Sequence, residues 1–310
     1  MSSNYKVITS KKSNYKIITL GDFFQKKLKS NYKVITKTLL YYIVITFSLP
    51  AFSLTFQSEL TDGQLVYGQI DENETVFVEN SYLNIGKNDK KLFRIQTNAQ
   101  GKFAIGIPQD ATQLKLTIKT STHSKQKTFT VKPRQWNEEY VTGLPSQKVE
   151  PNQDDTKRIT SESLQMKQAR QTSTYPFFPE KWTNPVPDYK RISSHFGSRR
   201  ILNNVKKQGH SGTDLAAPID TPIYAPADGK VVLIHPDMFL TGKTILIDHG
   251  FGIFSSYSHL NQINVKLNQE VKQGNIIGKV GQTGRATGPH LHWTITWYGI
   301  RVNPEDLIEK

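Results

Sequence analysis

Thr244-Ile245-Leu246-Ile247-Asp248-His249-Gly250-Phe251-Gly252-Ile253-Phe254-Ser255-Ser256-Tyr257 holds two runs rich in β-branched and aromatic residues, divided by a glycine-bearing turn. Such residues suit a pleated, half-buried surface, and runs this short are strand-length rather than helix-length. Outward from this pair the same signal recurs at close spacing. Ile223 to Ala225, Lys230 to Ile234, Ile276 to Val280 and Leu291 to Trp297 read as strands, parted by Gly, Pro and Asn turns with no long helical period between them. Residues 182–310 therefore predict a compact all-β domain.

Further towards the amino terminus, Leu65 to Ile70, Thr75 to Val78, Phe93 to Ile95, Phe103 to Ile105, Leu114 to Ile118 and Thr128 to Val131 carry strand signals of their own. Strands at this spacing predict a small antiparallel β-sandwich, of immunoglobulin-like type, over residues 54–133. Its one histidine, His123, falls in the polar loop Ser121 to Gln126, where solvation is the expected role. Residues 134–181 turn polar and proline-bearing and read as a linker with one exposed or domain-packing helix. That helix is expected over Asp154 to Gln171, capped near Asp154 or Asp155, with Ile159, Leu164 and Met166 forming no continuous stripe.

The net charge of +14 would suggest nucleic acid or an anionic surface if it belonged to the folded part. Residues 1–53, however, hold nine lysines and one acid, Asp22, so a surplus of eight sits there and six remain for the rest. The apolar run Leu39 to Phe47, followed by Ser48-Leu49-Pro50-Ala51-Phe52-Ser53, has the layout of a secretory signal peptide cut after Ser53. It is shorter than the ~20 residues a spanning helix needs, so export is expected, with an uncleaved anchor as the weaker reading. Upstream, Ser3-Asn4-Tyr5-Lys6-Val7-Ile8-Thr9 recurs near Ser13 and Ser30, too irregularly for a stacked repeat fold. The repeats read as translated repetitive sequence ahead of a signal peptide that begins near Val34.

There is no cysteine, which excludes disulfides and thiolate metal sites and leaves only His and carboxylate as ligands. Six of the eight histidines lie between His210 and His292. In an extended chain, residues an even number apart share a face. His210-Ser211-Gly212-Thr213-Asp214, if extended, and His290-Leu291-His292 can each aim two metal-ligand groups to one side. Three ligands with an open fourth position would make a catalytic zinc centre, and four closed ones a structural site. The histidines taken singly also fit core or turn positions. Gly209, Gly212, Gly284 and Gly288 flank them and permit close backbone approach.

Gly209 to Pro218, Ala225 to Val232, Tyr257-Ser258-His259-Leu260 and Gly284 to Gly288 followed by Pro289-His290-Leu291-His292-Trp293 resemble the lysostaphin and LytM type of zinc metalloendopeptidase, with Arg191 to Arg199 preceding them. The resemblance covers residues 182–310, and more loosely the forepart. It implies a folded-over, groove-bearing β-sheet holding one zinc ion on His210, Asp214 and His292. It makes His259 and His290 the catalytic pair without dividing base from acid, gives His249 a structural role, and leaves Tyr257 and Arg285 as candidate substrate contacts. His195 and His235 are expected on the surface or groove wall. The implied activity is hydrolysis of peptide cross-links of bacterial peptidoglycan in the periplasm or cell envelope. The alternative is a catalytically silent relative that activates wall amidases. The expected partners are peptidoglycan peptide stems and no nucleic acid. Membrane contact is expected only through the signal peptide or an uncleaved anchor, with regulation by the amino-terminal domain left open.

Overall fold

The computed structural model describes residues 54–308 apart from 73, 80–91, 172, 174 and 177. The signal-peptide and repeat readings of residues 1–53 lie outside the described residues. Among the described residues the forepart has seven strands: β1 (Thr55–Phe56), β2 (Leu65–Gln69), β3 (Thr75–Glu79), β4 (Leu92–Arg94), β5 (Lys102–Gly106), β6 (Gln113–Lys119) and β7 (Ser124–Thr130). They pair antiparallel as β1-β2-β5 and β4-β3-β6-β7. Leu114, Leu116 and Ile118 alternate inward along β6 and are fully buried, as the period of two requires. β7 begins earlier than the sequence suggests, because Ser124 to Lys127 pair with Leu116 to Lys119 of β6 although they carry no apolar signal. His123 lies exposed in the turn before it.

The polar stretch that reads as linker contains a strand of its own, β8 (Glu138–Val141), then helices α1 (Ser146–Val149) and α2 (Gln153–Ala169). The α2 cap is Asn152, not an aspartate: its side chain accepts from the Asp155 amide, while Asp154 and Asp155 occupy the first turn and favour the helix dipole. The only buried residue of α2 is Glu162. Its carboxylate accepts from Arg158 Nε at 2.7 Å and from the Phe239 amide at 2.9 Å, which anchors the helix to the sheet through polar rather than apolar contacts.

Beyond come β9 (Arg191–Ser194), β10 (Arg199–Leu202), β11 (Val205–Lys206), β12 (Thr213–Ala216), β13 (Pro222–Tyr224), β14 (Gly229–Met238), β15 (Gly242–Asp248), β16 (Ile253–Leu260), β17 (Gln262–Ile263), β18 (Glu270–Val271), β19 (Ile276–Lys279), β20 (His290–Trp297) and β21 (Ile300–Val302). Their main sheet runs β18-β14-β15-β16-β20-β12-β9, with β21 beside β20. β8 joins β10 in parallel, so the linker is stitched to the domain edge.

β20 sets up everything that follows. Its odd residues Leu291, Trp293, Ile295 and Trp297 are fully buried, while His290, His292, Thr294 and Thr296 face the other way. Each buried Trp removes a large apolar surface from water, and truncating one to alanine in such a core costs about 3–5 kcal/mol. The same core continues into the forepart, where Gly106 of β5 lies against Trp297, Val302 and Ile300. Trp182 Nε1 donates to Tyr67 Oη at 2.8 Å across the same contact.

Candidate metal and proton-transfer site

β12 and β20 run antiparallel with Asp214 directly opposite His292. This is the side-by-side placement that even spacing allows. His210 reaches the same point differently from the sequence expectation. It precedes β12 in an irregular bend rather than lying on the strand, and the close approach is made at Gly212, where any Cβ would stand 2.2 Å from the Trp293 carbonyl oxygen. Asp214 Oδ1 lies 2.7 Å from His292 Nδ1 and 3.0 Å from His210 Nε2, and the two imidazole nitrogens are 2.9 Å apart. All three residues are buried and form a group that could hold a metal ion.

The neighbours of each ring fix which nitrogen faces the site. His210 Nδ1 lies 3.0 Å from the His195 carbonyl, which can only accept, so Nδ1–H donates and Nε2 keeps its lone pair. His292 Nε2 contacts the hydroxyls of Thr294 at 3.0 Å and Ser211 at 3.2 Å, which leaves Nδ1 for the centre. His259 and His290 stand beside this group with ring centroids 4.7 Å apart. Each donates Nδ1–H to a backbone carbonyl, Thr283 at 2.7 Å and Gly288 at 2.8 Å, so the lone pair of each ring lies on Nε2. His290 Nε2 is 3.7 Å from Asp214 Oδ1.

His259 takes part only through a break in strand order. By alternation it would share the core face with Tyr257, but β16 carries one extra residue against β15, since Ile245 pairs Tyr257 and Lys243 pairs Leu260. His259 has φ +63°, in the left-handed region that non-glycine residues seldom adopt. The bulge turns its ring to the groove, at a cost of order 1–3 kcal/mol that the surrounding sheet must offset.

Residues 208–304 match the profile of Peptidase family M23. A solved M23-type structure from Pseudomonas aeruginosa is 30% identical and superposes with a TM-score of 0.56, covering 81% of this chain and 96% of that one. The chain belongs to peptidase family M23. Peptidoglycan DD-endopeptidase ShyA of Vibrio cholerae is 44% identical over 122 residues, 38% of this chain and 28% of that protein. DD-carboxypeptidase/endopeptidase Mpg of Neisseria meningitidis is 42% identical over 118 residues, 37% of this chain and 26% of that one. The chain thus spans little more than a quarter of the length of these curated relatives.

Electrostatics in the M23 site favour ligand-ready protonation states. Burial acts to raise the Asp214 carboxyl, but the charges and hydrogen bonds of His210 and His292 outweigh it and hold it well below the usual carboxylate range. Burial lowers His292 to about 4, partly opposed by Asp214. Burial, with the neighbouring His290 and His292, lowers His259 to about 3.

The sequence signal misses Arg200. Its guanidinium donates to Asp214 Oδ2 and to Ser194 Oγ, both at 2.7 Å, with Glu139 Oε2 of β8 at 3.6 Å. It thereby binds the outer carboxylate oxygen and leaves Oδ1 to the centre. The only clue in the sequence is its place one residue beyond the Arg191 to Arg199 segment. Arg200→Ala should weaken metal affinity roughly 10–100-fold, as loss of a supporting partner does; a competitive chelator titration reads this directly.

Tyr257 requires a correction. It is fully buried, pairs with Trp293 on the core face and bonds Ser255 Oγ at 2.8 Å, so it cannot touch a ligand in the groove. Arg285 does line the cavity of about 540 Å³ that contains His210, His259 and His292. His195 is exposed, with Nδ1 2.9 Å from Glu305 Oε2, and His235 Nδ1 accepts from the Asp237 amide at 3.1 Å.

His249 lies outside the centre, wholly buried, donating Nδ1–H to the Asp228 carbonyl at 2.7 Å and accepting at Nε2 from Ser255 Oγ at 2.6 Å. Burial lowers it from 6.5 to about 4. The unfolded chain therefore takes this proton first as pH falls. The stabilisation from a neutral His249 is complete above about pH 6.5 and is lost progressively down to about pH 4, amounting to roughly 3 kcal/mol. The melting temperature of His249→Gln should accordingly fall less steeply over that window than that of the parent chain.

Proposed function

We propose that this chain is an exported zinc endopeptidase that hydrolyses peptide cross-links of bacterial peptidoglycan. The observation that carries the reading is the convergence of His210, Asp214 and His292 with two further histidines whose Nε2 atoms remain free to exchange protons. The donor set suits zinc. Three ligand atoms on a tetrahedral ion at ~2.05 Å would stand about 3.3 Å apart, and the present separations of 2.7 to 3.0 Å need only a small outward adjustment. When bound, zinc supplies Lewis acidity toward the scissile carbonyl and a water nucleophilic at neutral pH.

The chain's own groups do the rest. Arg200 and the Nδ1–H bonds of His210 hold the ligands in their tautomers and orientations. His259, neutral because it is buried, is suited to take a proton at Nε2. His290, close to Asp214, is suited to donate to the developing oxyanion or the leaving amine, and the two can exchange these tasks. Ser256, Ser258 and Thr294 supply a polar floor on which an extended peptide can lie.

The substrate class is supported by the names of the ShyA and Mpg relatives, and export by the signal-like stretch ahead of Ser53. The presence of all five groups favours an active enzyme over a silent regulator. The test is mass spectrometry of peptidoglycan digested by the purified chain. Cross-linked dimers should fall to monomers with the glycan strands intact. Glycan cleavage, or unchanged dimers in the presence of zinc, would reject the reading.

A further inference from the structure

The polar floor of the cavity continues well past the histidines. On β20, His292, Thr294 and Thr296 share one face and all line the cavity, and β21 sets Arg301 directly across from Thr296. At roughly 3.3 Å per residue, the four steps from His292 to Thr296 place Arg301 about 13 Å along the floor from the metal group. Another wall is α2, whose residues Ile159, Ser163 and Met166 line the same cavity at helical spacing. Arg170, the C-cap of that helix, lines the same cavity as Arg301.

Two guanidinium groups lining one cavity need a reason. The ion pairs of Arg134, Arg158 and Arg200 each involve a carboxylate, but among the described residues neither Arg170 nor Arg301 has one. Arg170 Nε is shielded from solvent without a hydrogen-bond partner. Burial, with the charge of Arg301, lowers Arg170 to about 10, while Arg301 stands exposed at the cavity's edge on β21. A guanidinium nitrogen shielded from water without a partner, as Arg170 Nε is, is unfavourable unless an anion meets it, and two planar forks lining one cavity match the geometry of a carboxylate.

We propose that Arg170 and Arg301 form an anion subsite that receives a free carboxylate of the peptide substrate, remote from the bond being cut. This rests on the endopeptidase reading above. An extended peptide covers the distance in roughly four residues. The subsite is built half from the helix and half from the sheet, so α2 is part of the substrate-binding wall.

The experiment measures binding of two probes to the zinc-loaded chain by calorimetry: a peptidoglycan stem peptide with a free terminal carboxylate, and the same peptide amidated. The free acid should bind roughly tenfold more tightly or better. Arg301→Gln and Arg170→Gln should each erase the preference, and Arg301→Lys should keep part of it, all at unchanged zinc content. On cross-linked substrate, KM for the free-acid form should rise roughly tenfold more than KM for the amidated form. Equal binding of acid and amide by the parent chain, or a preference that survives in the Arg170→Gln/Arg301→Gln double variant, overturns the subsite. A chain that prefers the acid yet cuts no peptide supports the subsite and rejects the endopeptidase reading; one that cuts while ignoring the charge rejects the subsite alone.

Discussion

Replacing His292 with alanine is expected to remove both the bound metal and all measurable peptide hydrolysis. Its Nδ1 stands 2.7 Å from Asp214 Oδ1 and 2.9 Å from His210 Nε2, so its loss leaves two ligands and an open face. Loss of a supporting partner costs roughly 10–100-fold in affinity, and loss of a ligand costs more. The fold should survive, because His292 lies on the groove face of β20 while Leu291, Trp293 and Ile295 hold the strand in the core. Metal content after dialysis, measured beside the melting temperature, separates loss of the centre from loss of the fold. Retained metal at one ion per chain would show that His292 is not a ligand.

His290→Ala should give the opposite pairing, with metal kept and turnover lost. His290 Nε2 is 3.7 Å from Asp214 Oδ1, near the centre but outside the set of three converging atoms. Removal of a positioned proton-transfer group lowers kcat by about 10²–10⁴-fold. If His259 and His290 act as one unit, the double variant should be scarcely worse than either single one. Loss of metal in His290→Ala as well as in His292→Ala would mean that His290 is itself a ligand and not the proton carrier.

The core strands were legible because burial on a sheet face demands uninterrupted β-branched and aromatic runs, as at Ile245 to Ile247 and Leu291 to Trp297. Even spacing only marked His210, Asp214, His290 and His292 as groups that could converge, and the family resemblance singled out His210, Asp214 and His292, although His210 approaches the group through a bend at Gly212 rather than along a strand. Strict alternation failed at the bulge. It gave no warning that His259 turns to the groove while Tyr257 stays in the core, since one inserted residue inverts the facing of its neighbour. Helix α2 was expected over Asp154 to Gln171, but its docking was not legible: its one buried residue is the charged Glu162, which anchors it to the Phe239 amide, so it lacks the apolar stripe by which a docking helix is recognised. Arg200 and β8 were hidden because parallel pairing across some sixty residues of chain leaves no local trace.

The central claim, that His210, Asp214 and His292 hold the one zinc ion on which hydrolysis depends, is tested most directly by returning zinc in steps to chelator-stripped protein while bound metal and cross-link cleavage are read from the same samples. Both should rise together and level off at one ion per chain. Cleavage that persists in the stripped protein, or that fails to return when one zinc is bound, would contradict it.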